Sequence, residues 1–243
     1  MALTSALGTP LRLLLLALVF ACGAYLQAQG TLAAVFSHWE DVVYLSRQHV
    51  TLAAISGAIA IAIGLPLGIV LTRPAVRPYA NIVMQVVNLG TTIPTLAILA
   101  LAMSVLGIGA PSAIFGLVAL TLLPIVLNTI AGLRMVPEHL VEAARGMGMT
   151  PGQVLFRVEL PNAMFVILAG LRTALAINVG TVPLAFLIGG GGLGELIFSG
   201  IDLMEPSTLL AGAIPTALIA ILVDFLVGQG QFWLIPRGVN PLR

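Results

Sequence analysis

The chemically capable side chains concentrate in residues 142–161, EAARGMGMTPGQVLFRVELP, where Glu142, Arg145, Arg157 and Glu159 interrupt a chain otherwise made almost entirely of hydrocarbon. Charged groups mixed with glycines and prolines suit ion pairing and close backbone approach to another protein, which is docking chemistry rather than bond making. The remaining inventory excludes most catalytic classes. All the cationic side chains are arginines, so the lysine of a GxxxxGK[ST] phosphate loop is missing and ATP is not hydrolysed through such a site. Cys22 is the only cysteine, which leaves no intrachain disulfide and no cysteine-based metal site. His38, His49 and His139 lack the i,i+4 spacing of a helical metal pair. No metal, cofactor or nucleic-acid partner is expected. The glycine run Gly189–Gly192 with Gly194 follows no strand and precedes no lysine, so it reads as a flexible re-entrant turn rather than a nucleotide loop.

The elements that must position these groups are set by composition. The chain has 243 residues, 59% hydrophobic and 8% charged, with mean hydropathy +1.12; a soluble domain carries roughly 25% charge. Apolar runs reach the ~20 residues that cross a hydrocarbon core, and period-2 alternation is absent, so the fold class is an all-α polytopic membrane bundle rather than a barrel. Six spans are expected, at about 11–28, 50–72, 79–107, 111–133, 162–188 and 208–228. Residues 1–49 read as an anchor helix, in competition with a signal peptide, followed by an extracytoplasmic interfacial helix over 29–49 with Trp39, Glu40, Asp41, Tyr44 and Arg47. Residues 50–228 form the core, and 229–243 a short tail.

Arginine placement gives the orientation, because short cytoplasmic loops keep an excess of basic residues. With both termini inside, Arg12, Arg73, Arg77, Arg134, Arg145, Arg157, Arg237 and Arg243 are cytoplasmic, Arg47 is outside and Arg172 lies within a span. Glu40, Asp41, Glu195, Asp202 and Glu205 then face outward, and the last three suit a docking surface for a solute-binding protein. The 134–161 loop faces the compartment that holds ATP.

Within that loop Pro137 can open a helix, and Leu140, Ala143, Ala144 and Met147 fall on one narrow apolar face. Gly146 and Gly148 end it, Thr150-Pro151-Gly152-Gln153 restarts a helix through a capping box, and Leu160-Pro161 opens the fifth span. Spacing leaves two readings open: a connector lying on the membrane surface, or a helix inserted in a partner's groove. In the third span Gln85, Asn88, Thr92 and Thr95 make a polar stripe, with a freed carbonyl and a possible hinge at Pro94. Thr121 and Asn128 on the fourth span and Asn178 and Thr181 on the fifth can line the same passage or bond neighbouring helices. Arg172 needs water, helix-end carbonyls or a counter-charge, for which Asp224 is the candidate.

Glu142-Ala143-Ala144, three residues, Gly148, nine residues, Val158-Glu159-Leu160-Pro161 resembles the EAA signature, EAA-x3-G-x9-I-x-LP, of permease subunits of binding-protein-dependent ABC importers, with valine for isoleucine. The resemblance extends over about residues 47–228 and is greatest to the osmoprotectant group, which takes up glycine betaine, choline, carnitine or proline betaine. It implies a type I importer permease in a bacterial or archaeal cytoplasmic membrane, without an active site of its own. It also implies partners: a cytoplasmic ATPase subunit, an extracytoplasmic solute-binding protein, and a second permease copy or a related permease. The ATPase would dock on Glu142, Ala143, Ala144, Gly148, Leu160 and Pro161. Rival classes are a permease for another solute such as an amino acid, an ion-coupled secondary transporter, and an anchor for a cytoplasmic enzyme.

Overall fold

A computed structural model describes residues 31–76 and 92–239 continuously, together with isolated positions within 17–28 and 79–90. Among the described residues the regular structure is entirely helical. Helix α1 (Thr31–Ser37) turns at His38 into α2 (Trp39–Leu71). The expected separate interfacial helix therefore ends at residue 37. From Trp39 the polar stretch is the first three turns of the spanning helix itself, and the expected boundary at 49/50 falls inside α2. No glycine or proline interrupts residues 39–56, so only polarity changes there. At 1.5 Å per residue, the 33 residues of α2 reach about 50 Å, well beyond a ~30 Å hydrocarbon core, and Glu40 and Asp41 sit in its first turn where the helix dipole favours them.

The third span differs from expectation. Its described part, α3 (Thr95–Leu106), begins after Pro94, which is extended at φ −56°, ψ 136°. Proline has no N–H to continue a helix and pushes the preceding residue, Ile93, away from helical angles. A tight turn over Gly107–Gly109 follows, as the glycines predict, and leads into α4 (Ala110–Arg134), which continues through Pro124. After the polar loop come α5 (Glu138–Gly146) and α6 (Pro151–Val154). A π turn (Leu155–Glu159) joins α6 to α7 (Leu160–Thr181), and a 3₁₀ segment (Val182–Ile188) extends it. Pro161 thus opens no new helix. The widened turn, with Leu160 N–H bonding to the Leu155 carbonyl, accommodates the proline inside one helical run.

The glycine run makes a turn, with Gly189, Gly191 and Gly192 at positive φ, and beyond it the chain forms α8 (Gly194–Asp202), a stretch for which the sequence predicted no element. Leu193 and Leu196 are buried, and α8 packs on α9 (Pro206–Leu234). Helix α9 also runs past the expected end of the sixth span at residue 228. Among the described residues four helical runs are long and apolar enough to cross a membrane: α2, α4, Pro151–Ile188 and α9; α3 is shorter. Of the proposed first span, at about 11–28, only isolated positions within 17–28 are described, and these are helical.

Helix α4 is central, packed against α2, α3 and α7, while α7 carries α9 on its other side. Small residues set these approaches, as expected where lipid offers no hydrophobic drive between helices. A Cβ on Gly68 would lie 2.5 Å from Thr129, and one on Gly170 would lie 2.2 Å from Asn128 Cβ. Gly170→Ala is therefore expected to force α4 and α7 apart, at a cost of about 1–3 kcal/mol, seen as a lower unfolding midpoint in detergent. Outward-facing Ile55, Ile59, Ile63, Leu218, Leu222 and Phe225 supply the apolar belt.

Candidate functional site

The two ends of the bundle differ in charge. One end gathers Arg73, Arg134, Arg145, Glu138, Glu142 and Glu159 around a groove of about 740 Å³ between the end of α2, the end of α4 and helix α5. At the other, the Gly109 N–H bonds the Ile188 carbonyl at 2.9 Å, and the Gly192 N–H bonds Gln48 Oε1 at 3.0 Å. Glu205 accepts from Thr208 there at 2.9 Å.

The groove's outer wall is built by local chemistry. Pro137, extended at ψ 130°, is the N-cap of α5, one position earlier than expected. Glu138 and Arg145 occupy the first and last turns and complement the helix dipole. The helix closes with Gly148 N–H to the Arg145 carbonyl at 2.9 Å and Met149 N–H to the Ala144 carbonyl at 3.2 Å. This is a Schellman closure, and it places Gly148 at φ +80°, a conformation that favours glycine. The capping box follows as the sequence predicts: Gln153 N–H to Thr150 Oγ1 at 3.4 Å and Thr150 N–H to Gln153 Oε1 at 2.9 Å.

The expected apolar face of α5 divides. Ala144 is buried at 1% exposure and Leu140 is half-buried, whereas Glu142 and Ala143 are exposed and Met147 is 71% exposed. Because α5 stops at Gly146, Met147 is already outside its helical phase. Leu160 and Pro161 are half-buried at the root of α7. Of the six docking candidates, Glu142, Ala143 and Gly148 thus stand at the surface of this chain, and the Ala144 methyl faces its interior. The sequence reading left out Arg73, whose Nη1 lies 2.7 Å from Glu159 Oε2, an ionic contact without hydrogen-bond alignment.

The polar residues expected along a passage are not drawn together in one chain. Gln85 and Thr92 are exposed and Thr95 is half-buried, while Asn88 lies outside the described residues. The break at Pro94 takes Thr95 out of phase with the others. Thr121 and Thr181 donate to their own helices, at Leu117 and Ile177, and Asn128 donates to the Pro124 carbonyl at 2.8 Å. Asn178 instead bridges to α2: its Nδ2 donates to the Ala53 carbonyl at 3.0 Å, and its amide meets Ser56 Oγ. Ser56 was not singled out from sequence; a small polar residue among alanines was its one signal. Asn178→Ala is expected to lower stability by about 1 kcal/mol, the scale of an interhelical hydrogen bond in a membrane, read as an earlier unfolding midpoint.

Arg172 does find Asp224, in a two-pronged pair of 2.6 Å (Nε–Oδ1) and 2.5 Å (Nη2–Oδ2) between α7 and α9. Gly228, one turn further along α9, leaves the room the guanidinium occupies; a Cβ there would sit 3.2 Å from Arg172 Cζ. Among the described residues no cluster of His, Cys, Asp and Glu is placed to hold a metal.

This fold is similar to a chain of the inward-facing MetNI methionine ABC transporter, with TM-score 0.73 and 24% identity over 81% of this chain and 96% of that one. It is also similar to a chain of an amino acid ABC transporter with histidines, with TM-score 0.68 and 17% identity. At such identities these likenesses show the fold alone. Closer in sequence is the osmoprotectant import permease protein OsmY of Salmonella typhimurium, 52% identical over 82% of this chain and 84% of its own. The choline transport system permease protein OpuBB of Bacillus subtilis is 38% identical over 84% of this chain and 93% of its own. Residues 64–237 match the family described as binding-protein-dependent transport system inner membrane component, and the chain belongs to that family.

Proposed function

We propose that this chain is the transmembrane permease subunit of an ATP-driven importer for a small osmoprotectant such as glycine betaine or choline. The observation that carries the reading is the EAA loop. It folds as helix, glycine bend and capped helix at the arginine-rich end, with Glu142, Ala143 and Met147 turned outward. An amphipathic helix with exposed small and apolar positions beside charged groups suits insertion in a partner's groove. The ATPase subunit docks on this loop and supplies the hydrolysis, since this chain lacks the lysine of a phosphate loop. The arginine-rich end and both termini are cytoplasmic. A solute-binding protein approaches the opposite end, near Glu195, Asp202 and Glu205, and a second permease completes the path that Gln85, Thr92, Thr95, Asn128 and Thr181 border. The substrate class follows the names of the relatives.

Site-directed crosslinking tests the docking assignment. With Cys22→Ser removing the native thiol, Met147→Cys is expected to crosslink to the ATPase subunit, and a cysteine at Glu195 is not. The reverse pattern would overturn both the docking assignment and the orientation. Titration of the solute-binding protein with glycine betaine, choline and an amino acid then tests the substrate class; preference for the amino acid would overturn it.

A further inference from the structure

Helix α5 is attached to the body as a lever. It packs on α6 and the π turn, and on its inner side a groove of about 740 Å³ separates it from the ends of α2 and α4. Arg134, Arg145, Glu138 and Glu142 line this groove, yet none of them forms an ion pair within 4.0 Å among the described residues. One ion pair does cross it. Arg73, just beyond the end of α2, reaches Glu159, the last residue of the π turn, at 2.7 Å.

Arg73 is held in place, and Glu159 is largely enclosed. The Arg73 guanidinium also donates to Thr72 Oγ1 at 2.8 and 3.2 Å and to the Ile69 carbonyl at 3.3 Å, which fixes it to the last turn of α2. Glu159 keeps only 14% of its side chain exposed, so solvent screens this pair less than a surface one. Its position is mechanical as well as electrostatic, because Glu159 lies at the root of α7, where the lever meets the membrane helix.

We propose that the Arg73–Glu159 pair is a latch that carries movement of the coupling loop to the inner end of α2. This rests on the reading that the ATPase docks on that loop. Movement of α5 reaches α7 through the continuous chain and, from α7, reaches α4 through packing. The ion pair adds the third path, to α2, so that α2 and α7 move together at the inner mouth. Without it, hydrolysis proceeds while the gate follows poorly. Glu159 and Arg73 are then positioning residues for coupling, and Glu159 falls on a free position of the EAA signature.

The test is made on the complete transporter in proteoliposomes, with its ATPase and solute-binding protein, by measuring glycine betaine taken up per ATP hydrolysed. Arg73→Glu and Glu159→Arg are each expected to lower that ratio about tenfold, with the exchanged double variant returning to within about threefold of the parent, the scale of coupling between contacting charges. Glu159→Gln, nearly isosteric, is expected to lower the ratio less, without loss of ATPase binding. Parental ratios in the single variants, or a double variant as poor as the singles, would overturn the latch while leaving the docking assignment intact. Failure of the parent chain to bind the ATPase would overturn the docking assignment and the latch with it.

Discussion

Replacing Gly148 with aspartate is expected to abolish ATP-driven uptake while leaving membrane insertion intact. Two effects combine. Gly148 holds φ +80° at the turn after α5, where a side chain other than glycine or asparagine costs roughly 1 kcal/mol. Among the described residues, its two chain neighbours aside, no group lies within 4 Å of a Cβ built there, so the new carboxylate meets none of them as a steric obstacle. It projects instead into the proposed docking surface, where an unpaired charge facing a partner would cost far more than the backbone strain. The variants Gly148→Asn and Gly148→Ala separate the two. Asparagine tolerates the left-handed backbone and is expected to retain most uptake; alanine adds strain without charge and is expected to lose several-fold. Loss of uptake in all three to the same degree would show that backbone conformation, not surface charge, governs this bend.

Removing either member of the Arg172–Asp224 pair is the second large effect. Asp224 lies about 15 Å along α9 from Leu234, within a run long and apolar enough to cross a ~30 Å hydrocarbon layer. Its pairing with Arg172 is two-pronged. Arg172→Leu or Asp224→Leu alone leaves one charge in an apolar setting and is expected to reduce the assembled transporter about tenfold. The double Leu variant removes both charges and is expected to recover assembly and ATP-driven uptake, because replacing a whole pair with apolar groups is often neutral. Recovery of assembly without uptake would instead assign the pair a part in transport, as an ion-coupled carrier requires of its buried charges.

The comparison of residues with structure divides along physical lines. The bend at Gly148 and the Thr150–Gln153 box were legible because each is decided within a few residues by backbone and capping chemistry. The continuity of α2 was not. Hydropathy marks where lipid ends, and Glu40, Asp41, Ser46, Arg47 and Gln48 are polar, but a helix without breakers carries on through that boundary. Pro161 looked like a helix start; only the π turn, which depends on how the loop seats against the bundle, made it an interior residue. Pro94 looked like a hinge within a helix and is a helix boundary. Of the polar stripe, Thr95 alone lies beyond that break and leaves the shared phase.

The site divides in the same way. Glu142, Gly148 and the motif spacing were visible as residue types, but the burial of Ala144 and the exposure of Met147 depend on where α5 stops and which side it turns to the body. Arg73 and Glu159 are far apart in sequence, and nothing local marks them as partners. Asp224, by contrast, was findable, because a lone arginine in a span requires a counter-charge and few acids are available.

The most direct measurement is solute uptake by proteoliposomes that hold this chain with its ATPase subunit and solute-binding protein. Glycine betaine or choline is expected to accumulate when ATP is supplied on the side of the EAA loop, and not when an ion gradient is imposed without ATP. Accumulation driven by the gradient alone would contradict a permease role in an ATP-driven importer.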